Sequence, residues 1–154
     1  MILKATEIGL SISIDENLIH ELIEIGKKHY PKEFGGFLIG NYVNDFKQLN
    51  ITDTILPRKY KATKYLFQRD TVGIDGLLKS FYNETLKKYY VGEWHTHPDN
   101  LPILSNTDIN AIYTINNYKE VAIQNPIFLI IGYNNTEVEL GFYVSFKNKL
   151  YRYE

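Results

Sequence analysis

Cysteine is absent from all 154 residues, which excludes disulfides and every thiolate metal site. Any zinc would have to rest on histidine and carboxylate side chains. No uninterrupted apolar run approaches the length of a membrane span. The opening residues, Met1 to Glu7, lack the basic start and long apolar stretch of a secretory signal. A marked excess of either charge is missing as well: the formal net charge is −1, which gives no general pull toward nucleic acid or an acidic membrane. There are no repeats and no low-complexity tracts. What remains is the expectation of a single cytoplasmic domain over residues 1–154, of ordinary globular composition with 44% hydrophobic and 23% charged residues.

Hydrophobic periodicity outlines the elements. Leu10, Ile12 and Ile14 alternate with serines and predict a half-buried strand. Asp15 is a fitting N-cap for a helix whose apolar stripe runs from Leu18 to Ile25 and which Pro31 stops. Phe37 to Ile39 reads as a buried strand behind the Gly35-Gly36 pair, with a turn at Asn44-Asp45 and a return strand from Gln48 to Ile55. Arg58 to Tyr65 reads as a basic, aromatic surface connection, with a contact patch for an acidic protein as the alternative. A short strand at Leu66 to Gln68 and a helix capped by Asp70 and running to Tyr82 follow. Tyr89 to His97 is a strand, Ser105 opens a helix, and Ile127 to Gly132 is an apolar run fit for a strand buried on both faces. Val138 to Phe146 pairs with it across the Asn134-Asn135 turn. Helices interleaved with hairpins define an α/β (α+β) fold with one mixed central sheet.

The densest chemistry lies between Gly92 and Asp108. His95 and His97 are two residues apart on a strand and so point to one face. Ser105 and Asp108 follow with the spacing S-x-x-D. Two imidazoles and a carboxylate leave one position open on a tetrahedral ion, the arrangement of a catalytic zinc. Ser105 and Asp108 also read simply as a helix cap with an acidic first turn, and the two readings are compatible. His29 suits the C-terminal end of its helix, and His20 lies on a polar face.

The pattern His95-Thr96-His97, seven positions, Ser105 and Asp108 resembles the signature of the JAMM metalloproteases, also called MPN-type domains. The upstream segment Pro31-Lys32-Glu33-Phe34-Gly35-Gly36-Phe37-Leu38-Ile39-Gly40 resembles the family's glutamate context, and Trp94 and Pro98 flank the histidines as in the family. The resemblance implies one Zn²⁺ per chain on His95, His97 and Asp108. It implies Glu33 as the proton acceptor for water and Ser105 as a hydrogen-bond donor to the oxyanion. Glu93, two residues before His95, is the rival base.

The implied activity is cleavage after the C-terminal glycine of a ubiquitin-like protein, deconjugating it from a target. The compact length is similar to that of prokaryotic members that work beside E1- and E2-like enzymes, including in antiphage operons. Maturation of a sulfur-carrier-type protein and a non-catalytic scaffold are the alternatives within the fold. A zinc deaminase would need cysteine ligands, and a DNA-repair branch of the same fold would suit a more basic chain.

Overall fold

Alternating apolar positions and helical stripes become the expected strands and helices in the computed structural model, which describes residues 1–118 and 123–154. In chain order they are β1 (Ile2–Ala5), β2 (Leu10–Ile14), α1 (Glu16–Lys27), β3 (Gly35–Val43), β4 (Gln48–Ile55), β5 (Tyr60–Thr63), β6 (Leu66–Arg69), α2 (Asp75–Tyr82), β7 (Tyr89–Pro98), α3 (Asn106–Asn117), β8 (Ile127–Tyr133), β9 (Val138–Phe146) and β10 (Lys149–Arg152). Eight strands form one mixed sheet in the order β1-β2-β4-β3-β7-β8-β9-β10, and β5 and β6 form a separate two-stranded sheet. The pairs β2/β4 and β7/β8 are parallel and the other neighbours antiparallel. A parallel neighbour cannot be reached by a tight turn. The chain therefore crosses between β7 and β8 by way of α3.

The two ends of the large sheet meet. Lys4 and Glu154 exchange backbone hydrogen bonds of 2.7 and 3.0 Å, so β1 does not present an open edge along its whole length. Inside the curl lies the main core, where Leu22, Leu38, Trp94, Leu129 and Phe142 pack together. Smaller clusters sit under α2, around Phe37, Ile39 and Ile74, and under α3, around Ile112, Phe128 and Ile130. β8 belongs to two clusters at once and is buried at all of its positions, as its unbroken apolar run required.

Local chemistry explains the element ends. The Asp15 carboxylate accepts the Asn17 N–H at 2.7 Å and starts α1. His29 closes the other end, with Nδ1 2.9 Å from the Ile25 carbonyl oxygen and its ring stacked on Phe34. Lys147 and Asn148 both have positive φ, 50° and 63°, in the two-residue turn between β9 and β10.

Three expectations need correction. The second helix starts at Asp75, not at Asp70, whose side chain instead accepts the Val72 N–H in a turn at 2.8 Å. Gly73, at φ 79°, breaks the intervening backbone. The basic segment Arg58 to Tyr65 is not merely a connection, because Tyr60 to Thr63 forms β5 and Tyr60 packs edge-on against Phe34. Residues 2–5, given no element by periodicity, are ordered as β1 by pairing with β2.

The most exacting contact is between β3 and β7, where Gly35 is the partner of His95. A Cβ at Gly35 would lie 2.0 Å from the Trp94 carbonyl oxygen, so only glycine allows the strands to approach so closely. A Cβ at Gly76, on α2, would touch nothing within 4 Å. The two Gly→Ala substitutions should therefore act in opposite directions. In urea unfolding, Gly35→Ala is expected to lose about 1–3 kcal/mol through overpacking. Gly76→Ala is expected to gain about 0.4–1 kcal/mol by restricting the unfolded chain. Equal effects at the two sites would contradict this packing.

Candidate metal centre

β7 alternates its side chains between two environments. Trp94 and Thr96 are buried on one side, and Thr96 is met there by α1, where a Cβ on Gly26 would come within 2.3 Å of the threonine methyl. His95 and His97 point the other way, as the period of two demanded. The parallel crossover brings the first turn of α3 against them. The result is a triangle: His95 Nε2 and His97 Nε2 are 3.1 Å apart, Asp108 Oδ1 is 3.1 Å from His95 Nε2, and Asp108 Oδ2 is 3.3 Å from His97 Nε2.

Two of these three groups, His97 and Asp108, are oriented from behind. His97 Nδ1 lies 3.1 Å from the Leu101 carbonyl oxygen. A carbonyl can only accept, so Nδ1 carries the proton and Nε2 is turned toward the cluster. Asp108 is held by a capping box, in which its Oδ2 accepts the Ser105 N–H at 2.7 Å and Ser105 Oγ accepts the Asp108 N–H at 3.1 Å. Burial pushes the Asp108 carboxyl up, but hydrogen bonds from both imidazoles and from the Ser105 N–H outweigh it and hold the group far below the ordinary carboxylate range. Burial pulls His97 down, but Asp108, the Leu101 carbonyl and Glu33 more than reverse this and raise its pKa. Two imidazole nitrogens and a carboxylate, all within 4.8 Å of one another, fit a divalent cation of zinc's preference.

Glu33 is brought to the rim of this cluster and not into it. Its Oε1 lies 4.0 Å from His97 Nε2, and only 7% of the residue is exposed. Desolvation raises its pKa, partly offset by the two histidines. Its backbone N–H bonds to the Thr63 carbonyl on β5 at 2.8 Å. The next residue is tied to the strand of the histidines, since Phe34 N–H donates to Thr96 Oγ1 at 3.0 Å and Thr96 N–H to the Phe34 carbonyl at 2.8 Å. Glu93, the rival, is engaged elsewhere: Arg69 Nε donates to both its oxygens at 3.0 and 3.2 Å, and the Tyr90 hydroxyl donates to Oε1 at 3.2 Å.

In the loop from Asp99 to Leu104 the polar side chains are engaged away from the cluster. Asp99 accepts the Tyr30 hydroxyl at 2.9 Å, and Asn100 Oδ1 accepts the Leu101 N–H at 2.8 Å. The loop serves the centre through the Leu101 carbonyl. A cavity of about 430 Å³ opens beside His95 and Asp108, walled by Phe67 and Arg69 of β6 on one side and by Thr107 and Ala111 of α3 on the other. Arg69, Thr96 and Leu101 escaped sequence reasoning. Nothing in the local pattern marks a buried threonine or a backbone carbonyl, and Arg69 becomes relevant only through a partner 24 residues away.

Residues 15–143 match the family described as prokaryotic homologs of the JAB domain, and the chain belongs to that family. A protein named CD-NTase/cGAS isopeptidase, from Enterobacter hormaechei subsp. hoffmannii, is 32% identical over 126 residues, which is 81% of this chain and 67% of that protein. The solution structure of a Desulfitobacterium hafniense protein superposes with a TM-score of 0.70 at 15% identity, covering 92% of this chain and 88% of the other, and so shares the fold.

The capping box yields a test that needs no substrate. In metal-free protein, Ser105→Ala should lower unfolding stability by about 0.5–2 kcal/mol, whereas Ser105→Gly should cost only a few tenths. A null effect of the alanine variant in chemical denaturation would mean that the serine does not hold the start of α3.

Proposed function

We propose that this chain is a zinc-dependent isopeptidase that cleaves after the C-terminal glycine of a ubiquitin-like protein and releases it from a conjugated target. The observation that carries the reading is the convergence of His95, His97 and Asp108 with the buried Glu33 carboxylate 4.0 Å from His97 Nε2. The Enterobacter relative's name, an isopeptidase, supports the same reaction class. In this reading the partners are a ubiquitin-like protein or its conjugate, supplied by E1- and E2-like enzymes.

His95, His97 and Asp108 would hold the zinc. When bound, the ion supplies Lewis acidity that acidifies water and polarises the scissile carbonyl. Glu33 accepts the proton of the attacking water and passes it to the departing amine. Its pKa, raised by burial, suits a group that must both take up and release a proton. Ser105 Oγ accepts the Asp108 N–H and still has its own proton, which it donates to the oxyanion as the amide carbon becomes tetrahedral. Among the described residues β6 pairs only with β5, which leaves its other edge to an extended glycine-ended tail entering the cavity.

Metal analysis of the wild type beside His97→Ala and Glu33→Ala tests the assignment. The expected result is one zinc per chain in the wild type and in Glu33→Ala, and none in His97→Ala. Zinc at a hundredfold excess over its Kd should stabilise the folded wild type by about 2.7 kcal/mol. On a glycine-ended ubiquitin-like fusion, Glu33→Ala should then reduce kcat by about 10²–10⁴-fold despite its full metal content. A wild type that takes up no zinc on loading, or a zinc-loaded Glu33→Ala that cleaves normally, sinks the proposal.

A further inference from the structure

The β5–β6 hairpin is not part of the large sheet, so its position depends on a few attachments. At the end of β5, the Thr63 carbonyl accepts the Glu33 N–H at 2.8 Å. Between the ends of β6, Phe67 packs edge-on against Phe34 with ring centroids 5.5 Å apart, and Tyr60, opposite Arg69, does the same at 5.1 Å. At the end of β6, Arg69 reaches β7 and forks onto Glu93, with Nε 3.0 and 3.2 Å from the two carboxylate oxygens and a second guanidinium nitrogen also on Oε1. Tyr90 adds a hydrogen bond to the same oxygen at 3.2 Å, and the guanidinium lies over the Phe37 ring at 5.4 Å. A further ion pair, Lys64 to Asp99 at 3.8 Å, is too long and too exposed to fix anything.

The hairpin thus links two parts of the candidate centre that are far apart in sequence. One end holds the backbone of Glu33, and the other is fastened two residues before His95. We propose that Arg69 is a positioning residue: by clamping the hairpin to Glu93, it holds Glu33 in register with the histidine strand. The role of Glu33 as base rests on the function proposed above, but the mechanical claim does not. It also accounts for Glu93, an acidic side chain on the histidine strand that takes no part in the ligand cluster. The site calls for arginine specifically, because a planar fork can bond both carboxylate oxygens while its face covers an aromatic ring; a lysine ammonium can do only one of these well.

The experiment compares wild type, Arg69→Met, Arg69→Lys and Glu93→Gln as zinc-loaded full chains, by amide hydrogen exchange and by kinetics on the glycine-ended fusion. In Arg69→Met the Glu33 amide should exchange at least about tenfold faster while the amides of β8 keep their protection, as a local opening requires. Zinc content should not change. The kcat should fall by about tenfold to a hundredfold with little change in KM, since a base displaced by about 1 Å loses rate and not affinity. Placed on Glu33→Gln, Arg69→Met should add almost nothing, because a residue that acts through Glu33 cannot act once Glu33 is gone. Arg69→Lys and Glu93→Gln should show the same pattern more weakly, and they carry the comparison if the methionine variant folds poorly. Unchanged exchange at Glu33, or a kcat loss that adds in full to that of Glu33→Gln, overturns the clamp. If the zinc-loaded wild type cleaves no such fusion, the isopeptidase reading fails and the exchange result alone decides the clamp.

Discussion

Everything at the candidate centre depends on how closely β3 approaches β7. Gly35 faces His95 across that pairing, and the next strand residue, Gly36, faces Trp94. The absence of side chains at both positions lets the Glu33–Phe34 segment run directly alongside the histidines, where the reciprocal Phe34–Thr96 hydrogen bonds secure it. A carboxylate from far back in the sequence is thereby brought within reach of an imidazole pair. The approach is one of backbones: it lays the Glu33–Phe34 segment beside β7, and the β5–β6 hairpin braces it from the other side through the Thr63 carbonyl.

The second constraint is electrostatic. Asp108 and Glu33 are both carboxylates in largely buried surroundings, yet their proton affinities are driven in opposite directions. Asp108 receives hydrogen bonds from two imidazoles and from a helix N-terminal amide, which stabilise its charge. Glu33 lacks such donors to its side chain among the described residues, and burial dominates. A pair of like groups with unlike environments divides naturally into one that stays ionised and one that exchanges a proton. The division arises from the capping box as much as from the histidines.

Much of this was legible in the sequence, for reasons particular to each element. The His-x-His spacing reports a shared strand face because strand geometry leaves little alternative, and Ser105 with Asp108 reports a helix start because capping chemistry is local. The unbroken Ile127 to Gly132 run announced a strand buried on both sides. Asp70 misled because its carboxylate caps a turn as readily as a helix, and Gly73 postpones the helix by four residues, to an N-cap at Ile74. The β5 strand was hidden because Lys59, Lys61 and Lys64 give the segment around it the look of a solvated loop, while the residue that orders it, Tyr60, finds its partner Phe34 far back in the chain. Glu93 lay on the predicted face of the histidine strand, but a long-range arginine decided where its side chain goes. Local rules carried the ligands, and tertiary partners decided the rest.

Thr96 has a consequence for how the centre would release an ion. It lies between the two histidines in sequence, faces the opposite side of β7, is fully buried, and is pressed by Gly26 of α1. The histidines therefore cannot swing apart without lifting the helix from the middle of the main core. Asp108, on a helix end over a small satellite cluster, has no such backing. The packing is thus graded, with the two candidate nitrogen ligands backed by the main core and the candidate carboxylate ligand by a smaller cluster. An ion held there would meet its first loosening at the carboxylate, in local openings of the start of α3, while the strand that carries the imidazole pair stays packed.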